Sequence, residues 1–217
     1  MIDRVMIVVA AGSGVRFGED KMMLPVAGLP LVAHTVAAVT GQVDRCILVC
    51  RSDQMQELSD LGMAADLVPG GPTRTASEMA GLASVGEPAG LIGIHDGARP
   101  RVDAHLIEHL YQTAARLGGA VPVIDPGPLV RRSDLTVVAG AVVVQTPQVF
   151  RGDDLVAAYE AAAEAGFSGA DTAEVVRRFG SVEIGAVTGD PANIKVTEPE
   201  DLEQVRPALE ASRSEPR

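Results

Sequence analysis

Of the eighteen basic residues in this 217-residue chain only two are lysines, Lys21 and Lys195, and each lies in a segment suited to handling phosphate. In so arginine-rich a composition a retained lysine points to a need for a compact ammonium, because the two cations meet phosphate oxygens differently. Lys21 ends the run Ala10-Ala11-Gly12-Ser13-Gly14-Val15-Arg16-Phe17-Gly18-Glu19-Asp20-Lys21. Small residues there let backbone N–H groups approach a phosphate chain closely, and Arg16 and Lys21 can neutralise it from two sides. An ordinary strand-to-helix turn with surface charges is the competing reading. Two familiar loops are excluded. A P-loop needs Ser or Thr directly after its lysine, where Met22 stands, and a dinucleotide fingerprint needs Gly or Ala at Phe17 and an acid where Cys50-Arg51 end the second strand.

Three further segments carry chemistry. His95-Asp96-Gly97-Ala98-Arg99-Pro100 follows the apolar run LIGI, so it falls at a strand carboxyl end, where open α/β sheets bind ligands. Asp96 and Arg99 there suit a polyol hydroxyl and a phosphate, or else form a salt-bridged turn. Gln145-Thr146-Pro147-Gln148 supplies a hydroxyl, and Asn193-Ile194-Lys195-Val196-Thr197 precedes an acid-rich helix start at Glu198 to Asp201. Thr197 is the expected N-cap, which would fix Lys195. His105-Leu106-Ile107-Glu108-His109 matches the H-x-x-E-H metalloprotease pattern. A third ligand is lacking, because His34 and His95 suit other roles, so it is read as a solvated helix face.

These segments are spaced by a regular rhythm. Short β-branched runs (VMIVVA, CILVC, Asp66 to Val68, LIGI, AVPVI, VEIGAV) alternate with helical patterns near 29–40, 52–61, 73–84, 103–117, 153–165, 173–178 and from 199 onward. Such alternation predicts an α/β fold with a mostly parallel sheet covered on both faces. Residues 125–145 break it: DPGPLVRRSDLTVVAGAVVVQ offers no helix and reads as an irregular entry and two extended runs, a projecting β-arm on a single domain spanning 1–217. The hydrophobic content of 47% supports one buried core. A formal charge of −11 argues against a nucleic-acid or membrane-surface partner and requires that an anionic ligand meet a local cationic pocket. Cys46 and Cys50 share one strand face as buried free thiols, and the opening MIDRVMIVVAAG is too short for a span or signal peptide, so a cytoplasmic protein is expected.

Taken together, AAGSGVRFGEDK, GGPTRTAS, HDGARP, QTPQVF and NIKVTEPEDL resemble the cytidylyltransferases that make 4-diphosphocytidyl-2-C-methylerythritol in the non-mevalonate isoprenoid pathway, from Val5 to about Val205. The related ribitol 5-phosphate cytidylyltransferases share much of this pattern. The resemblance implies a Rossmann-like three-layer nucleotidyltransferase fold and a homodimer whose arm reaches the partner's acceptor site. It implies that Ala10, Ala11, Gly12, Ser13, Gly14 and Ser77 hold CTP, with Gly70 and Gly71 lining the base and Arg16 and Lys21 on the phosphates. Asp96, Arg99, Thr146 and Lys195 would hold methylerythritol phosphate. The acceptor phosphate would attack the α-phosphorus, with Arg16, Lys21 and Lys195 stabilising the growing charge. Mg²⁺ would arrive with CTP rather than in a protein cage.

Departures from the family pattern gather on the acceptor side. Asp125-Pro126-Gly127-Pro128 replaces an Asp-Thr-Ile-Lys entry, Val138 stands where the arm arginine falls, and Ala170 replaces a threonine before Asp171. Arg131 or Arg132 either restores the lost cation or is plain surface charge. Another phosphorylated acceptor or a phosphonate is therefore the alternative substrate, and a noncatalytic nucleotide-binding paralogue the alternative of another class.

Overall fold

The computed structural model describes residues 3–12, 17, 20–87 and 90–214. In chain order its elements are β1 (Arg4–Val9), β2 (Pro25–Val26), β3 (Leu29–Pro30), α1 (Leu31–Thr40), β4 (Arg45–Cys50), α2 (Met55–Asp60), β5 (Asp66–Pro69), α3 (Arg74–Val85), β6 (Leu91–Asp96) and α4 (Ala104–Leu117). Then follow β7 (Gly118–Ile124), β8 (Leu129–Val130), β9 (Val137–Val138), β10 (Val143–Val144), β11 (Gln148–Arg151), α5 (Gly152–Glu164), α6 (Thr172–Phe179), β12 (Glu183–Thr188) and α7 (Pro199–Ser214).

Eight strands form one sheet in which β5, β4, β1 and β6 pair in parallel, β11 runs antiparallel between β6 and β7, and β12 pairs parallel to β7. Strand alternation sorts the core into two layers. Met6, Val8, Cys46, Leu48 and Cys50 face the cluster containing Val36, Ile107 and Tyr111 of α1 and α4, whereas Ile7, Ile47, Val49 and Ile94 face Leu82, Leu155, Tyr159 and Val176 of α3, α5 and α6. Cys46 and Cys50 are thus both buried on one face and free. A third cluster seats α7, through Leu202, Val205 and Leu209, on Val26 and Leu31, which carries the chain before α7 back toward the loop after β1.

Helix starts follow their caps. Thr73 accepts from the Ala76 amide at 3.0 Å, Asp103 from that of His105 at 2.8 Å and Asp171 from that of Glu174 at 2.8 Å, as expected for short oxygen side chains satisfying orphan donors. The expected cap at Thr197 is corrected. Its hydroxyl donates to the Lys195 carbonyl at 3.2 Å, while Asp201 reaches back to accept from the amides of Thr197 (2.8 Å) and Glu198 (2.9 Å).

Two features depart from the expected rhythm. Leu29 and Pro30 are not helical but pair with Val26 and Pro25 in a hairpin, whose Ala27 and Gly28 both adopt positive φ, 48° and 80°. The four residues of β11, beginning just after Pro147 and beyond the expected arm, are a strand absent from the expected rhythm, and they insert into the sheet between β6 and β7. The arm itself is a β8–β9 hairpin, with Leu129 opposite Val138 and Val130 opposite Val137, and β10 returns the chain to β7.

Close packing makes one glycine decisive. A Cβ on Gly81 of α3 would lie 2.5 Å from Ile7 Cγ2 and 3.0 Å from Val49 Cγ2. Alanine gains about 1 kcal/mol in helix propensity, while overpacking costs about 1–3 kcal/mol. Gly81→Ala should therefore lower the urea midpoint without changing the slope; a raised midpoint would show that α3 is not pressed on β1 and β4.

Candidate active site

A cavity of about 570 Å³ opens at the carboxyl ends of β1, β4 and β6. Three backbone hydrogen bonds stitch its floor: Ala10 N–H to Val49 O at 2.7 Å, Gly70 N–H to Cys50 O at 2.8 Å and Gly97 N–H to Val9 O at 2.9 Å. This close approach explains Gly70, where an added Cβ would meet Ala11 Cβ at 2.2 Å. The buried Ser77 hydroxyl accepts from the Gly71 amide at 3.2 Å and donates to Thr73 O at 3.0 Å, so it holds the Gly70-Gly71 loop in place.

Asp96 ends β6 and is buried. Its Oδ1 accepts from Arg74 Nη1 at 2.6 Å, its Oδ2 meets Lys195 Nζ at 2.8 Å, and Arg99 Nε stands 3.6 Å from Oδ2. Burial acts to raise the carboxyl pKa, but Arg74, Lys195 and Arg99 together hold it well below the ordinary carboxylate range. Behind Arg74, burial pushes Glu78 up, opposed chiefly by Arg74 itself.

A hydrogen-bonded layer fixes Asp96 from below. Its amide donates to Thr146 Oγ1 at 3.0 Å, and Thr146 Oγ1 is 3.0 Å from His95 Nδ1. His95 Nε2 lies 3.1 Å from the Arg99 carbonyl. A carbonyl only accepts, so Nε2 carries the proton, Nδ1 accepts from the threonine hydroxyl, and the hydroxyl oxygen is left for the Asp96 amide. Burial lowers the His95 pKa to about 4, in keeping with a neutral imidazole. Arg99 donates through Nη1 to Asn193 O at 2.6 Å, and Asn193 Nδ2 donates to Thr146 O at 2.8 Å. Across the cavity, Lys21 Nζ donates to Val196 O at 2.8 Å, and Val196 N–H to Ala98 O at 2.8 Å.

The sequence-derived residues fall into three groups. Ala11, Gly12, Lys21, Gly71, Ser77, Asp96 and Lys195 line the cavity. Ala10, Gly70, Arg99 and Thr146 lie in its supporting layer, with the Thr146 hydroxyl spent on His95 and the Asp96 amide. Ser13, Gly14 and Arg16 lie outside the described residues. Arg74, Glu78, His95 and Asn193 carry the site's electrostatics and packing without having been singled out; only the three-dimensional pairing of α3 with β6 exposes the first two.

None of Pro126, Val138 and Ala170 lines this cavity. Val138 lies on the arm hairpin, and Ala170 borders a separate groove of about 540 Å³ with Asp171, Glu174 and Arg177. Arg131 bonds to Asp134 at 3.0 Å and Thr136 at 3.2 Å, which commits it to the hairpin turn. In the H-x-x-E-H segment Glu108 pairs with Arg4 at 2.5 Å and both histidines are exposed. Among the described residues no three His, Cys, Asp or Glu side chains cluster as metal ligands.

A glycine-lined cavity with two lysines in its wall, at the carboxyl edge of an open, mostly parallel sheet, is suited to neutralising phosphate, and the fold is that of the Rossmann-like nucleotidyltransferases. Residues 4–210 match the family model for 2-C-methyl-D-erythritol 4-phosphate cytidylyltransferase (IspD). The chain is 37% identical to the enzyme of that name from Phocaeicola vulgatus, covering 93% of this chain and 97% of that one, and 36% identical to that of Geobacillus kaustophilus, covering 90% and 92%. The crystal structure of the Thermus thermophilus protein of the same name superposes with a TM-score of 0.80 at 29% identity, over 97% of this chain and all of that one. The chain belongs to the 2-C-methyl-D-erythritol 4-phosphate cytidylyltransferase family.

The buried imidazole gives a pH signature. His95 stays neutral in the folded protein down to about pH 4, whereas an unfolded histidine protonates near pH 6.5. Between those values the unfolded chain binds the extra proton, so stability falls as pH drops, by up to about 3 kcal/mol from this group. The raised Glu78 acts in the opposite sense but is common to both proteins in a comparison with His95→Gln. Melting temperatures at pH 7 and 5 should fall less in His95→Gln than in wild type; equal falls would mean that His95 is not buried neutral.

Proposed function

We propose that this protein transfers CMP from CTP to 2-C-methyl-D-erythritol 4-phosphate and releases pyrophosphate. Family membership supports the reaction, and the observation that carries the site assignment is that Lys21 and Lys195 face one glycine-lined cavity at the sheet's carboxyl edge. An acceptor phosphate oxygen bonds to the α-phosphorus while the bond to the β-phosphate oxygen breaks, and the electron pair leaves with pyrophosphate. Such a transfer is limited by positioning and charge neutralisation rather than by a protein nucleophile.

Ala10 to Gly14 and Ser77 form or support the nucleotide cradle, Gly70 and Gly71 lie at the base, and Arg16 and Lys21 balance the phosphates. Lys195, paired to Asp96 at 2.8 Å, exchanges toward an incoming phosphate while Arg74 and Arg99 keep Asp96 compensated. Arg99 and Thr146 act on the acceptor site by holding Asp96, Arg99 beside its carboxylate and Thr146 at its amide. Mg²⁺ enters as part of the substrate, MgCTP: both Asp96 oxygens already face cations, so phosphate oxygens are the better ligands.

The arm exposes Val130, Leu135, Val137 and Val142, an apolar strip suited to burial against a second copy of the chain, and we assign the oligomer as a homodimer through it. Free buried cysteines fit a cytoplasmic location, and no described helix is long and apolar enough to cross a membrane. Pro126, Val138 and Ala170 favour one second reading, a different phosphorylated acceptor.

Pyrophosphate release with CTP and Mg²⁺ should be strong with methylerythritol 4-phosphate and weak with ribitol 5-phosphate or without acceptor; the reverse preference would overturn the acceptor assignment. Lys21→Ala should lower kcat by about two to three orders of magnitude while the protein stays folded. Lys195→Arg keeps the charge but not its shape, and should lose about tenfold or more; wild-type turnover would show that lysine is not specifically required.

A further inference from the structure

Arg74 joins the nucleotide cavity to a polar cluster formed by three helices. It is the first residue of α3 and lines the cavity wall. Its guanidinium is split between two carboxylates: Nη1 donates to Asp96 Oδ1 at 2.6 Å and Nε to Glu78 Oε1 at 2.9 Å. Glu78, one turn along α3, is itself held by Tyr159 of α5, whose hydroxyl donates to Oε2 at 2.8 Å, and by Thr172 of α6, whose hydroxyl donates to Oε1 at 3.3 Å. Glu78, Tyr159 and Thr172 are all buried. The remaining nitrogen, Nη2, is buried without a hydrogen-bond partner, so the two carboxylates, and not general polar solvation, set the orientation of this side chain.

We propose that Arg74, braced by Glu78, is a positioning residue for the transfer: it holds Asp96 ionised and in one orientation, so that Lys195 is presented at a fixed place in the cavity. This role rests on the cytidylyltransferase reading above. The geometry requires arginine, because only a planar fork spans two carboxylates on separate elements; a lysine supplies one point charge. The charged groups around Asp96 are Arg74 from α3, Arg99 from the turn after β6 and Lys195 from the segment before α7, with neutral His95 beside it on β6 and Glu78 behind Arg74. Arg74 donates to Oδ1, whereas Lys195 pairs at Oδ2. When Lys195 turns to a phosphate, Arg74 is the direct hydrogen-bond donor that stays on the carboxylate.

The test uses the full-length protein with CTP, Mg²⁺ and methylerythritol 4-phosphate, and measures kcat, both KM values and the acid limb of the pH–rate profile. Removing arginine alone would leave Glu78 buried and unpaired, so the main variant is the double change Arg74→Met/Glu78→Gln, with Arg74→Lys beside it. For the double variant the expected kcat loss is about 10- to 100-fold with the KM for CTP little changed. Its acid limb should move to higher pH, since Asp96 loses the largest of the cationic interactions that hold its carboxyl down. Arg74→Lys should keep the acid limb near its wild-type position while kcat remains lowered, because charge is restored and the bridge is not. Wild-type kcat and an unmoved acid limb in a folded double variant would overturn the proposal; should that variant not fold, wild-type kcat in Arg74→Lys would do so. Turnover of the wild-type protein, measured first, tests the parent reading separately, and a silent wild type would overturn both.

Discussion

A buried carboxylate must find compensating charge, and in this molecule Asp96 is where that requirement organises everything around it. Arg74, Arg99 and Lys195 come from three separate parts of the chain and would repel one another if brought together without it. Asp96 in turn remains ionised only because they surround it. The dependence is mutual, and it explains how a chain with a formal charge of −11 builds a local cationic wall. Its cations are gathered around one buried anion.

The antiparallel β11 has its physical sense in the same requirement. A register that sets Gln148 opposite Ile94 brings Thr146 opposite Asp96, where its hydroxyl receives the Asp96 amide and donates to His95. No helix crossover would be needed to deliver such a hydroxyl, because an antiparallel neighbour enters directly from the arm. Asn193 then ties this layer to the segment carrying Lys195 through the Thr146 carbonyl. Lys21 reaches the same segment by its bond to Val196 O, so the glycine-loop side and the Lys195 side of the cavity are fastened to each other as well as to the sheet.

The parallel part of the fold was readable because its strands are long β-branched runs separated by capped, periodic helices, and Thr73, Asp103 and Asp171 cap where short oxygen side chains precede such helices. Lys21, Asp96 and Lys195 were legible for a related reason: each sits where a strand end or helix start must place it near the sheet's carboxyl edge. The hairpin at 25–30 escaped because two-residue strands show no period and an Ala-Gly turn lacks the usual Asn-Gly signal, and β11 because it follows the arm with no helix before it. Thr197 misled because a capping side chain can come from three residues inside the helix, as Asp201 does. Arg74 and Glu78 stand i,i+4 on α3, and nothing in sequence spacing shows that α3 turns this pair inward onto β6.

The divergence from the family pattern has a location. Pro126 and Val138 belong to the arm, and Ala170 borders the groove beside β7 and β12, whereas the Asp96 cluster stands at β6 with its braces on α3 and the segment before α7. Substitutions on the arm therefore leave untouched the buried charges whose balance the cavity depends on. A change at Asp96, Arg74 or Lys195 would unbalance several partners at once, since their energies are coupled. Exposed residues on a projecting hairpin can change one at a time, while the buried charged cluster persists as a unit. This asymmetry confines the departures to the arm and the groove beside it and leaves the buried charge cluster at the sheet intact.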